Sequence, residues 1–106
     1  MTDAILVLCA CPDETVADSI AQALVEERLA ACVNRIPGIT STYRWKGDVR
    51  QDAELLLLIK TTRDNFNALR ERILALHPYE LPEVIAVHIA LGSAPYLDWI
   101  ARETAG

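Results

Sequence analysis

Three continuous apolar runs limit what this chain can fold into. They are AILVLCAC at residues 4–11, ELLLLIKT at 54–61 and VIAVHIAL at 84–91. Runs of this kind favour β-strands, and the absence of polar alternation is typical of strands that are buried on both faces. We therefore expect three such strands, each one removed from water on both sides of a sheet.

Helical periodicity appears between these runs. Asp13 is placed to cap a helix over residues 14–29, Thr62 to cap a second helix, and Ser93 to cap a short last helix. The first two helices show the apolar stripe of an amphipathic helix. The stripe residues are Val16, Ile20 and Leu24 in the first helix, and Phe66, Leu69, Ile73 and Leu76 in the second.

A further strand is expected over residues 32–47, where the side chains alternate and Pro37-Gly38 indicates a bulge or kink. Because side chains alternate along a strand, one face carries two aromatic residues. The residues KGD supply the turn that follows. The residues that share the aromatic face are Ile39, Ser41, Tyr43 and Trp45.

The resulting order is βαββαβ with a short C-terminal helix, which predicts a single α+β domain over residues 1–106 with a ferredoxin-like sandwich. The connection rules place both long helices on one face of the sheet. The other face is left uncovered although its strands are apolar. Burial of apolar surface is favourable by roughly 25 cal/mol per Å², so we expect the protein to associate with further copies of itself.

Composition excludes several classes of protein. The net charge is −5, which opposes nucleic-acid binding. No apolar stretch approaches the roughly 20 residues that a membrane-spanning helix needs. The chain has 3 cysteines and no disulfide framework, which fits a reducing cytoplasm. No nucleophile–base pair, phosphate-binding loop or HExxH motif can be identified, so we expect a protein that is not an enzyme.

The predicted topology brings two thiols and an imidazole to one end of the sheet. Cys9 and Cys11 lie at the end of the first strand on the same face, and His77 lies where the second helix ends. Thiolate and imidazole are ligands for copper and zinc. Two other interpretations stay open at this point: the cysteines can be core residues, and His77 can cap the helix C-terminus.

Lys60 is unusual because it lies in an apolar strand, where an ammonium group needs a partner. That partner is either Glu54 or Glu83 of a neighbouring subunit, or a bound anion. Two prolines restrict the backbone of HPYELPE at residues 77–83, which favours a positioned role for its carboxylates. Tyr43 and Trp45 are expected at a subunit interface.

Several segments together resemble the CutA divalent-cation tolerance family. They are ERLAACVN, IPGITSTYRWKG, Glu54 with LLIKTT, HPYELPE and YLDWI, and they cover nearly the whole chain in register. The resemblance implies a ferredoxin-like fold, a tight homotrimer and a role linked to copper and other divalent metals. It also implies architectural kinship with the trimeric PII signalling proteins, which bind small ligands in clefts between subunits.

The resemblance also implies site residues. In bacterial members of the family, copper ligands have been assigned to the cysteine that ends the first strand and to a histidine pair before the sequence PY. These positions correspond to Cys9 and His77, whereas the second histidine position holds Leu76. We expect either a copper-binding metal-tolerance protein or, as the alternative, a PII-like regulator that binds a small anion. The residues that correspond to the polar cleft of the family are Tyr43, Trp45, Glu54, Lys60, Tyr79 and Glu83.

Overall fold

The computed structural model describes residues 2–106, which form a four-stranded antiparallel sheet and three α-helices. The expected α+β class and βαββαβ element order are confirmed. The strands lie side by side in the order β2-β3-β1-β4. The strands are β1 (Ala4–Cys11), β2 (Cys32–Trp45), β3 (Asp48–Thr62) and β4 (Ile85–His88), and the helices are α1 (Glu14–Glu26), α2 (Phe66–Leu76) and α3 (Ala94–Glu103).

Helix α1 begins as the sequence predicts and ends three residues early. The carboxylate of Asp13 accepts a hydrogen bond of 2.9 Å from the backbone N–H of Val16. At the other end Arg28 adopts a positive φ of 59°. The N–H of Leu29 then bonds to the carbonyl of Leu24, which is the pattern of a Schellman motif. This turn ends the helix at Glu26 rather than at residue 29.

The expected caps of the other two helices do not form. Residues Arg63–Asn65 make a 3-10 turn, so α2 begins only at Phe66. The hydroxyl of Thr62 accepts a 2.8 Å hydrogen bond from the side-chain amide of Asn65 and caps no backbone group. Ser93 occupies the N-cap position of α3, but its side chain makes no capping hydrogen bond. The interpretation of Thr62 and Ser93 as side-chain caps was therefore wrong.

The β2–β3 hairpin contains the expected bulge and is longer than predicted. The pairing register shifts between Ile36 and Ile39, at the Pro37-Gly38 pair. Strand β3 begins at Asp48 rather than at residue 54, because its polar first half pairs with β2. Lys46 and Gly47 both have positive φ, 49° and 85°, which matches the turn preferred in two-residue hairpins.

The core lies between the two long helices and one face of the sheet. Both helices contribute fully buried aliphatic side chains, and the odd-numbered residues of β1 and β3 face them. The central buried residues are Val7, Cys9, Cys11, Ile20, Leu24, Leu57, Ile59, Leu69 and Ile73.

The opposite face of the sheet is only partly covered. Helix α3 packs through Ile100 against Ala4 and Ala31 at one end of this face, which corrects the expectation that nothing within the chain covers it. The even-numbered residues of β1 and β3 point to this face of the sheet. Ile85 and Val87 of β4, which pair with Leu8 and Leu6 of β1, point to it as well. Strand β4 spans only Ile85–His88, not 84–91, and its side chains are exposed. We call the following apolar residues the open face: Leu6, Leu8, Ile36, Leu56, Leu58, Ile85 and Val87.

Candidate functional site

The two thiols and the imidazole meet at one end of β1. Cys9 and Cys11 project to the helix side of the sheet, and α2 ends where the N–H of His77 bonds to the carbonyl of Ile73. A sulfur from each cysteine and a ring nitrogen of His77 all lie within 4.8 Å of one another. All three residues are buried, and both cysteine side chains are fully inaccessible. We call these three residues the thiol–imidazole cluster.

Both ring nitrogens of His77 have protein partners. Strand β4 pairs only with Ile5–Leu8, so the edge of β1 beyond Leu8 is not paired with β4. Nε2 of His77 lies 2.8 Å from the carbonyl oxygen of Ala10 at this edge. Nδ1 accepts a 3.2 Å hydrogen bond from the backbone N–H of Tyr79. Since Nδ1 accepts, Nε2 is the ring nitrogen that donates, to the carbonyl of Ala10. His77 therefore occupies the C-cap position of α2 through its backbone N–H, while its ring bonds to β1 and not to the free carbonyls of the helix.

The two thiols influence one another. The hydrogen-bonded Cys11 and burial raise the pKa of the Cys9 thiol, and the nearby carboxylates act in the same direction. The hydrogen bond from Cys9 lowers the pKa of Cys11. A metal ion would have to displace protons from these groups, because the thiolate is the form that binds metals.

Two of the expected cleft residues contact each other beside this cluster. The hydroxyl of Tyr79 donates a 2.7 Å hydrogen bond to the carboxylate of Glu54, which is only 7% exposed. Burial and Glu54 raise the pKa of Tyr79, so the hydroxyl keeps its proton at neutral pH. The rings of Tyr79 and His77 lie 4.6 Å apart between centroids. Tyr79 thus connects the thiol–imidazole cluster to a buried carboxylate on the other side of the sheet.

The other cleft residues are spread along the sheet. Tyr43 donates a hydrogen bond to Asp52, which raises the pKa of Tyr43. Trp45 lies at the hairpin tip with the ammonium of Lys46 5.7 Å from its ring centroid. Glu83 is exposed. Within one subunit, the sequence-predicted cleft is therefore not assembled.

Lys60 lies close to the end of β3, whereas Glu54 lies near the middle of this strand. Six residues separate them along the strand, which is about 20 Å at the usual rise. The ammonium donates to the amide oxygen of Asn34 and lies 3.9 Å from the sulfur of Cys32. Within residues 2–106 it forms no ion pair with a carboxylate. A pairing with Glu54 or Glu83 of a neighbouring subunit stays a prediction.

A groove beside α3 contains none of the predicted site residues. Its volume is about 780 Å³, and Asp3, Asp64 and Asp98 contribute to its lining. Within residues 2–106, no helix has the length and apolar character needed to cross a membrane.

The sequence-based reasoning missed the bond between Glu54 and Tyr79, for which the only local signal was the two prolines around Tyr79.

Comparison with known proteins identifies the family. The model of the CutA1 divalent ion tolerance protein family matches residues 5–103. The chain belongs to this CutA1 family. The "Divalent-cation tolerance protein CutA" of Thermus thermophilus is 59% identical over 93% of this chain and 96% of its own length. The mouse "Protein CutA" is 52% identical over 89% of this chain, and this match spans only 53% of the mouse protein.

Solved structures of CutA1 proteins agree with the fold described above. The "Divalent cation tolerance protein (Cut A1)" of Thermus thermophilus superposes with a TM-score of 0.94 at 57% identity. The match covers 96% of this chain and 99% of the Thermus chain. CutA of Xylella fastidiosa gives a TM-score of 0.95 at 48% identity, over 97% and 99% of the two chains. The expected membership of the family is thereby confirmed.

Proposed function

We propose that this protein is a cytoplasmic, non-enzymatic homotrimer that binds copper or another metal ion and contributes to metal tolerance. The observation that carries the proposal is the buried thiol–imidazole cluster, in which Cys9 and His77 lie within ligand reach of each other. Membership of a family described as divalent ion tolerance proteins supports the same role.

The donor set fits a metal ion. Two ligand atoms that each lie about 2.3 Å from one ion are at most about 4.6 Å apart. The ligand atoms of Cys9 and His77 lie within 4.8 Å, so only a small contraction is needed. His77 would have to release one of its two hydrogen bonds to free a lone pair. Leu76 cannot coordinate a metal, so we expect weaker binding than at a site with a second histidine.

The open face supports assembly into a trimer. Ile85 and Val87 are 54% and 49% exposed in the subunit, and they lie beside Leu6 and Leu8 of the central strand. A continuous apolar surface of this kind marks an interface. The long β2–β3 hairpin would otherwise leave the free edge of β2 unpaired. We propose that a neighbouring subunit covers both, with Tyr43 and Trp45 at the contact.

The metal site can be tested with Cys9→Ser and His77→Ala. Each change removes a ligand, and we expect copper affinity to fall at least about tenfold in calorimetry while light scattering shows an intact trimer. Cys32→Ser is the matched control, because Cys32 lies at the far end of the sheet beside Lys60. Copper binding that is unchanged in both variants would place the metal site elsewhere.

The alternative function is that of a PII-like regulator that binds a small anion between subunits. One observation favours it: the ammonium of Lys60 has only neutral partners, Asn34 and Cys32, within residues 2–106. A half-buried cation without a carboxylate attracts either a neighbour's carboxylate or an anionic ligand. Glu54 is engaged by Tyr79 in the same subunit, which leaves less of its carboxylate available to a neighbour.

Thermal-shift measurements distinguish a Lys60 that pairs with a neighbour's carboxylate from a Lys60 that binds an anionic ligand. If Lys60 serves an anion, a phosphate- or carboxylate-bearing metabolite raises the melting temperature of the wild type but not that of Lys60→Met. The gain is about 2.7 kcal/mol of stability when the ligand is present at 100 times its Kd. Lys46→Met, at the exposed hairpin tip, should respond like the wild type. A broad metabolite screen without any shift in the wild type would contradict the regulatory role.

A further inference from the structure

We propose that Cys11 is a third metal ligand, and that Cys9, Cys11 and His77 together form a thiolate-rich site that selects monovalent copper over divalent ions. This inference rests on the proposed metal-binding function. It concerns a residue outside the pair of ligands that the family resemblance implies, and it predicts which ion the chain prefers.

The backbone places the two sulfurs together. Cys9 and Cys11 are two residues apart on one strand, opposite Leu57 and Leu55 of β3, so both side chains point to the helix side. Both are fully buried, and their sulfurs lie within 4.8 Å of each other and of a ring nitrogen of His77. Three atoms bound at about 2.3 Å to one ion in a plane are about 4.0 Å apart. The cluster is thus close to the size of a three-coordinate site.

Cys11 adds a third donor to the pair formed by Cys9 and His77. Leu76 packs against the hydrophobic core and offers no lone pair. Without Cys11, Cys9 and His77 would hold an ion by only two ligands from residues 2–106. With Cys11, the set contains two sulfurs and one nitrogen, all from buried side chains.

The two sulfurs and one nitrogen of this site determine which metal ion it prefers. Thiolates select soft ions such as monovalent copper, whereas carboxylate and carbonyl oxygens suit magnesium, calcium and manganese. Two carboxylates lie near Cys9: Glu83 is exposed, and Glu54 is engaged by the hydroxyl of Tyr79 on the opposite face of the sheet. Zinc prefers four tetrahedral ligands, and the cluster offers three.

The strand also keeps the two cysteines in the thiol form. Residues two apart on a strand have Cα atoms about 6.6 Å apart, at the upper limit of the roughly 4.4–6.8 Å that a disulfide tolerates. The pairing of both residues with β3 resists the distortion that would bring them closer. The dithiol is therefore retained as a ligand pair.

Ion entry requires His77 to give up one hydrogen bond. The bond from the Tyr79 N–H to Nδ1 is 3.2 Å long, whereas the Nε2 contact with Ala10 is 2.8 Å. The longer bond is the weaker of the two, so Nδ1 is the nitrogen that is more easily freed. The Nε2–H bond to a backbone carbonyl then orients the ring, as is common for metal-bound histidine.

The test is a competition titration of the reduced, full-length protein with monovalent copper under anaerobic conditions, with a chromophoric copper chelator as competitor. We expect stoichiometric binding per subunit, and at least about a tenfold loss of affinity in Cys11→Ser and in Cys9→Ser. Cys32→Ser should match the wild type. X-ray absorption of the copper-loaded protein should show two sulfur neighbours in the wild type and one in Cys11→Ser.

Each other outcome overturns a defined part of the idea. If Cys11→Ser binds like the wild type and Cys9→Ser binds weakly, Cys11 is not a ligand and the proposed metal-binding function stands. If the wild type binds zinc more tightly than monovalent copper, the selectivity is wrong. If the wild type binds no metal, both proposals fail. Circular dichroism and a second variant, Cys11→Ala, separate loss of a ligand from loss of the fold.

Discussion

Leu8→Asp is expected to convert the proposed trimer into monomers. Leu8 lies in the central strand, between Leu58 of β3 and Ile85 of β4, and therefore at the middle of the open face. A carboxylate at this place would lose its hydration without gaining a partner if a second subunit covered it. Light scattering at micromolar concentration should show a trimer for the wild type and a subunit-sized species for the variant.

The control for Leu8→Asp is Ala75→Asp, which adds the same charge to the exposed side of α2 and should leave the trimer intact. Trp45→Ala provides a second test that does not introduce a charge, and it should weaken assembly before the subunit unfolds. A wild-type protein that is a stable folded monomer, or a Leu8→Asp variant with unchanged mass, would contradict the proposed interface.

Leu24→Ala is expected to lower the free energy of unfolding by about 2 to 5 kcal/mol, because it removes buried methyl groups and leaves a cavity. Leu24 is fully buried and lies on the face of α1 that packs in the central core. Its carbonyl also accepts the hydrogen bond that ends the helix, but the backbone is unchanged by the substitution. Chemical denaturation at one fixed protein concentration measures the effect.

Leu74→Ala makes the matched comparison, since it is the same substitution on the other long helix at a side chain that is 37% exposed. Leucine and alanine have similar helix propensities, so the difference between the two variants reports burial. We expect Leu74→Ala to change stability by less than about 1 kcal/mol. Equal losses in the two variants would show that the core is not where the structure places it.

The meeting of Cys9 with His77 followed from the sequence, because the order of strands and helices determines which ends lie together. The details that decide their chemistry did not follow. The bonds from His77 to Ala10 and from Tyr79 to His77 depend on how residues 77–83 cross the end of β1. No local pattern in HPYELPE determines that path. Two prolines restrict the backbone angles of the segment, but they do not determine which part of the sheet it packs against.

Local interactions explain what the sequence by itself determined. Asp13 caps α1 by accepting a hydrogen bond from the backbone N–H of Val16, three residues further along the chain. The bulge at Pro37-Gly38 arises because proline has no backbone N–H to donate and glycine is flexible. Continuous apolarity predicted strands that are buried on both faces. Strand β1 and the second half of β3 are central in the sheet, whereas β4, to which the same pattern applied, is an exposed edge strand. These features arise between residues that are near in the chain, so the pattern of residue types is sufficient to identify them.

Only the tertiary structure decided the length of β4, the start of α2 and the partners of Glu54 and Lys60. Strand β4 stops at His88, which lies opposite Ile5 near the start of β1, although the apolar run continues. Glu54 meets Tyr79, 25 residues further along the chain, and Lys60 meets Asn34, 26 residues before it. Such contacts depend on the pairing of distant segments, and the energy of that pairing is not encoded in either segment alone.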